Sequence, residues 1–260
     1  MITGRQLACI NLILVFTVLT ASAMASAMEW VQIGEPLTPR ANSGICFNET
    51  TNSIFLFGGN SLNVDDYHDT WEWDGSRWNL LSPLHQPDKF WDNGTLVFHS
   101  GRNRVLLLGS SYTTNHFQIW EWVDEDWMLI DDCETMPPEW RFFGCTYDAS
   151  RDTICLFGGY TGQSIDELWE WDDSGWHQIC KSGLWPPVSL IPAMVYDPNI
   201  QKSVVLLNFN GQMELWYWDG SIWEKPTFGP PKPPVRDCIK IAYDPDRSRL
   251  IMFGGSGNRD

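Results

Sequence analysis

The chain has 260 residues, room for one large all-β domain or two ordinary ones, and carries 16 tryptophans, 21 glycines and 16 prolines with only 19% charged residues. That mixture suits many short strands joined by tight turns and argues against a helical bundle. Beyond residue 27 there are 16 bases against 33 acids, a net charge of −17, which argues against nucleic acid or an anionic membrane as the partner because phosphate contacts need clustered Lys and Arg.

Residues 1–27 come first and read as a secretory signal peptide. Arg5 supplies a short positive region, and Leu7 to Leu19 is apolar apart from Asn11 and Thr17. Ala21-Ser22-Ala23 and Ala25-Ser26-Ala27 then fit the small-x-small cleavage rule, placing the cut near Ala25 or Ala27. The expected destination is secretion or the periplasm. The apolar run is too short to span a bilayer, so no membrane insertion of the mature chain is expected.

The remainder, 28–260, repeats itself. The tryptophan after an acidic or small-residue turn recurs as Trp30, Trp78, Trp127, Trp176 and Trp223, at steps of 48, 49, 49 and 47. An aromatic before Asn, His or Asp recurs as Phe47, Phe98, Tyr147, Tyr196 and Tyr243, at steps of 51, 49, 49 and 47. Two independent markers sharing one period define a repeat of roughly 49 residues. The units run at about 41–82, 91–131, 141–180, 189–225 and 236–260.

Each unit reads as four short strands. The first ends at the aromatic, as in Gly44-Ile45-Cys46-Phe47. The second is a near-continuous apolar run, as in Ile54 to Phe57, Ile154 to Phe157 or Val204 to Leu207, which marks a strand buried on both faces. The third alternates, as Trp71-Glu72-Trp73, Trp120-Glu121-Trp122, Trp169-Glu170-Trp171 and Trp216-Tyr217-Trp218, so both tryptophans share one face. Asp74-Gly75 and Asp219-Gly220 supply tight turns into the fourth. The recurring tryptophans are expected to wedge between neighbouring units; a sugar-stacking platform is the alternative.

A four-stranded unit of this length, with Gly58-Gly59, Gly158-Gly159 and Gly254-Gly255 after strand two and the strand-three and strand-four tryptophans, resembles the kelch-repeat β-propellers. Phe57-Gly58-Gly59 with Asp69-Thr70-Trp71-Glu72-Trp73-Asp74-Gly75 is similar to units of exported bacterial kelch-motif proteins. Units two and four depart from the pattern, with Gly109-Ser110 and Asn208-Phe209 at the glycine pair. The resemblance implies an all-β propeller of about five four-stranded blades. Strand three occurs only four times, and Glu29-Trp30-Val31-Gln32-Ile33 supplies an extra strand four. The expectation is therefore a five-bladed ring closed by strand 29–33 with an incomplete last blade, or a piece of a longer array.

Connections from strand two to three and from strand four to the next strand one emerge on one face, where propellers usually bind ligands. Arg40 and Arg236 lie there seven residues before the strand-one aromatic, and Arg141 is shifted by one. Kelch units often have arginine at this place. A ring of arginines suits a carboxylate or an anionic sugar; satisfying loop carbonyls is the other reading. Trp91, Trp140 and Trp185 break the repeat in the same loops and are the candidate hot-spot aromatics for a protein or glycan ligand.

Catalytic and metal motifs do not emerge. His68, His85 and His116 show no ligand spacing, and no GxSxG, HExxH, P-loop or dinucleotide fingerprint occurs. Cys46, Cys133, Cys145, Cys155, Cys180 and Cys238 permit disulfides, including Cys145 with Cys155 across a hairpin and Cys133 with Cys180 between blades, but include no zinc pattern. The reading is a secreted non-catalytic scaffold without metal or cofactor. The alternative is an exported sugar-processing enzyme of isomerase or mutarotase type, using Arg40, Arg141, Arg236 and Glu139 at the mouth of the central channel.

Overall fold

The computed structural model describes residues 37–61, 64–92, 94–136, 139–227, 229 and 233–256. The expected signal peptide and the expected strand at 29–33 lie outside the described residues. Those described are all β with no helix, and the 49-residue repeat becomes a series of antiparallel sheets.

The first blade holds β1 (Gly44–Asn48), β2 (Ser53–Ser61), β3 (Val64–Trp73) and β4 (Trp78–Leu81). The second holds β5 (Thr95–His99), β6 (Arg104–Ser110), β7 (Phe117–Val123) and β8 (Asp126–Cys133). The third holds β9 (Gly144–Asp148), β10 (Thr153–Phe157), β11 (Leu168–Asp172) and β12 (Gly175–Ile179). The fourth holds β13 (Ala193–Asp197), β14 (Lys202–Phe209), β15 (Gln212–Trp218) and β16 (Trp223–Glu224). In each the strands pair in chain order. A fifth sheet has two described strands, β17 (Asp237–Asp244) and β18 (Arg249–Ser256). The first strands of successive sheets, β1, β5, β9, β13 and β17, pack side by side along the inside. Among the described residues the architecture is a β-propeller of four four-stranded blades and a fifth sheet of two strands.

Apolar faces meet at each junction. Phe55 and Phe57 of the first blade pack on Leu96, Val105, Leu107 and Trp127 of the second. Leu106, Leu108 and Phe117 of the second meet Ile154, Leu156 and Trp171 of the third. Burying one such Leu, Ile or Phe side chain contributes about 1.5–3 kcal/mol. The recurring tryptophans wedge between blades, as packing required: the Trp127 indole donates to Thr70 Oγ1 at 2.9 Å, and Trp218 to Glu170 Oε1 at 2.6 Å. The first tryptophan of strand three also donates to an acceptor two residues earlier, Trp71 to Asp69, Trp120 to Gln118, Trp169 to Glu167 and Trp216 to Glu214.

Three sequence expectations shift. In the fourth blade Tyr196 pairs with Ser203 just as Phe47 pairs with Ile54, so the apolar strand starts one residue earlier and Leu207-Asn208 takes the place of the glycine pair. In the third blade Cys155 opposes Thr146 and Cys145 opposes Leu156, a one-residue difference that puts the two sulfurs on opposite faces. The six cysteines among the described residues are free thiols, so neither expected disulfide forms. In the first blade the connection from strand two to strand three, read as a loop, is largely ladder, because β2 runs to Ser61 and β3 starts at Val64.

Candidate functional site

The glycine pairs shape the loop-rich face. Gly59 and Gly159 have φ of +99° and +97°, and a Cβ at either would meet the carbonyl of Ala41 at 2.8 Å or of Arg141 at 2.5 Å. Only glycine lets the incoming loop pass this close to the end of strand two. The contact is a short two-way ladder: Ala41 bridges Asn60, Phe90 bridges Ser111 and Arg141 bridges Tyr160.

That ladder aligns Arg40, Lys89 and Trp140 as equivalent residues. Arg40 donates to the Gly58 carbonyl at 2.9 Å and grips Asp69 through both terminal nitrogens, at 2.6 and 3.1 Å. Burial pushes the Asp69 carboxyl up, but hydrogen bonds from Arg40 and Trp71 outweigh it and hold the group below its ordinary value. Arg236 donates to the Gly254 carbonyl at 3.0 Å in the same way. In the third blade the Trp140 indole takes this seat, donating to the Gly158 carbonyl at 2.7 Å. Trp140 is fully buried and offers no surface to a ligand. Arg40, Arg236 and Trp140 thus satisfy loop carbonyls, and no arginine ring forms from them. Trp185 is half-buried, donates to the Asp166 carbonyl and packs its ring edge-on against Trp218 and Trp223.

With Trp140 in the structural seat, Arg141 one residue later is left half-buried among aromatic rings. Its guanidinium lies 5.0 Å from the Trp91 ring centre and 5.6 Å from that of Tyr160. Trp91 in turn lies against Tyr112, ring centres 4.5 Å apart, and Lys89 lies 5.2 Å over Tyr112. The result is a ladder that alternates cation and ring: Lys89, Tyr112 with Trp91, Arg141, Tyr160. Lys89 is also paired with Asp66, and Arg141 approaches Glu139 at 3.7 Å. Tyr112 is half exposed. Of the seven residues singled out in the sequence, Trp91 and Glu139 join Arg141 here; Lys89, Tyr112 and Tyr160 were missed. Tyr160 is the first residue after its glycine pair and Tyr112 the second after Gly109-Ser110, and this closeness to the end of strand two is the signal that would have found them.

Asp92 follows Trp91 in the chain. It accepts the Phe142 backbone N–H at 2.9 Å, and Phe142 itself is left-handed with φ of +60°. Burial pushes the Asp92 carboxyl up to about 6, against the opposing pull of that N–H, Lys240 on β17 and Arg141. Among the described residues no group of three or more His, Cys, Asp and Glu side chains is arranged to hold a metal ion.

No protein-family model and no curated protein matches the chain. Solved structures do. YjhT matches over 76% of this chain and 72% of its own at 9% identity, with a TM-score of 0.51. Aleuria aurantia lectin, in complex with Fucalpha1-6GlcNAc and with alpha-methyl-L-fucoside, matches over 78% of this chain and 66% or 65% of its own at 15% identity, with a TM-score of 0.50. Across the first of these structures the chain spans between 42% and 72% of their length. Likeness at such identity concerns the fold, and it agrees with the propeller seen here.

Proposed function

We propose that the chain is an exported, non-catalytic propeller of kelch type that binds a glycan on its loop-rich face. The ladder of Tyr112, Trp91, Arg141 and Tyr160 carries this reading. Sugars bind by laying C–H faces on aromatic rings while charged donors take their hydroxyls or carboxylates, and this surface alternates the two. Each of these rings lies in a loop, and Tyr112 is half exposed. The fucose-bound lectin gives the same fold a precedent for such use. A glycan array probed with the mature chain tests it: binding should be lost in Trp91→Ala and Arg141→Ala while the melting temperature holds. An array with no hit, or hits that both variants retain, refutes it. Export is tested by the mature N-terminus, expected after Ala25 or Ala27.

One observation favours a second reading, a sugar isomerase or mutarotase at the channel mouth. Asp92, titrating near 6 beside Arg141 and Lys240, has the properties of a general acid–base at working pH. Anomer interconversion of reducing sugars followed by NMR would then fall away in Asp92→Asn, and no acceleration by the wild-type chain removes the reading.

A further inference from the structure

On the face opposite these loops, the blade junctions share a charged device with one member missing. Strand three places a glutamate at the same register in the first three blades: Glu72 opposite Phe55, Glu121 opposite Leu106 and Glu170 opposite Cys155. The turn between strands one and two supplies its partner four residues after the strand-one aromatic. That position is Arg102 in the second blade and Arg151 in the third. The following residues, Asn103 and Asp152, are both left-handed, as is Asn52 of the first blade, so the three turns superpose residue for residue.

In the second junction Arg102 reaches Glu121 at 3.4 Å and lies 5.2 Å over the ring of Trp171 from the next blade. In the third, Arg151 reaches Glu170 at 2.7 Å and Asp148 at 2.9 Å, and Trp218 of the next blade donates to the same Glu170 oxygen. The first junction has Thr51 in place of the arginine. Ser53 and Thr51 hydroxyls both donate to Glu72 Oε1, at 2.6 and 3.4 Å, and no Lys or Arg among the described residues pairs with Glu72 in the ion pairs found. Trp122 stands on the opposite wall, held edge-on to Phe55 at 5.6 Å.

Between them is a cleft of about 510 Å³, lined also by Asp124, Glu125 and Arg104. That volume falls in the range of small-ligand sites. Arg104 donates to the Asn103 carbonyl at 3.2 Å, leaving three acids to one base around the opening.

We infer that this cleft binds a guanidinium group supplied from outside, in the seat that the chain's own arginine fills in the next two junctions. Glu72 supplies the carboxylate and Trp122 the ring face. A planar guanidinium meets both at once, a demand a spherical ammonium meets less well. The group belongs either to a free small molecule or to an arginine side chain of a partner polypeptide.

Calorimetric titration of the full chain with methylguanidinium, and with the pentapeptide Gly-Gly-Arg-Gly-Gly, tests the inference. Saturable one-to-one binding of methylguanidinium is expected, with methylammonium weaker. Equal affinity for the pentapeptide identifies a small-molecule site, and tighter binding identifies a polypeptide partner. Glu72→Gln should weaken binding about tenfold. Thr51→Arg, which restores the internal arginine, should abolish it and raise the melting temperature. Absence of saturable binding to the wild-type chain, binding that survives in Thr51→Arg, or a Thr51→Arg chain that melts below wild type overturns the inference.

Discussion

Replacing Asp92 by Asn should make the stability of this chain less sensitive to pH, and the size of the effect follows from one carboxyl. Burial pushes the Asp92 carboxyl in the folded chain from an ordinary 3.8 up to about 6. Its proton is therefore held more tightly folded than unfolded. The stabilisation from protonation is fully present below 3.8 and is lost as the pH rises through 6. Above that, the folded chain carries a desolvated carboxylate whose cost, at 1.36 kcal/mol per decade, is about 3 kcal/mol. Asparagine is neutral throughout, and its side-chain oxygen still accepts the Phe142 N–H. Urea unfolding of both chains from pH 4 to pH 8 checks this. The variant should gain little at pH 4 and about 3 kcal/mol over wild type at pH 8, with most of the change between pH 4 and 6. A difference that stays flat across this range refutes the claim that burial raises this carboxyl.

Other consequences can be measured directly. Trp140→Ala, at a fully buried site, should cost about 3–5 kcal/mol in urea unfolding. Trp140→Arg should cost less, because Glu167 occupies the place that Asp69 holds beside Arg40, and equal losses would show that the two seats are not equivalent. Gly59→Ala combines a φ of +99° with a 2.8 Å approach to the Ala41 carbonyl and should lose about 1–3 kcal/mol, visible as a lower melting temperature. Thiol labelling at pH 8 should modify the exposed Cys180 and Cys238 first. Burial pushes the Cys145 and Cys155 thiols well above the ordinary range and Cys46 up to about 12, so these three should label only on unfolding.

The blades were legible because their signals are local. Alternating tryptophans in strand three, apolar runs in strand two and Asp-Gly turns each depend on backbone period and turn conformation, which neighbouring residues dictate. The site was only partly legible. Arg141 and Trp91 stood out as loop residues of unusual type, yet Trp140 looked equally promising and is core.

What separated Trp140 from Arg141 was the Gly158 carbonyl, a single buried acceptor that either an arginine or an indole can satisfy. Sequence spacing names both residues but cannot say which one fills the seat, since that depends on the volume left between the second and third blades. The same holds for Asp92, whose carboxyl is unusual only because other loops bury it, and for Glu72, whose register matches that of its sister glutamates while its arginine is absent. Period, strand order and turn chemistry were properties of the chain itself. Which side chains met, and which were left facing solvent or an unfilled cleft, was decided where one blade packs against the next, because burial and hydrogen-bond satisfaction are settled between residues about 20 to 50 positions apart.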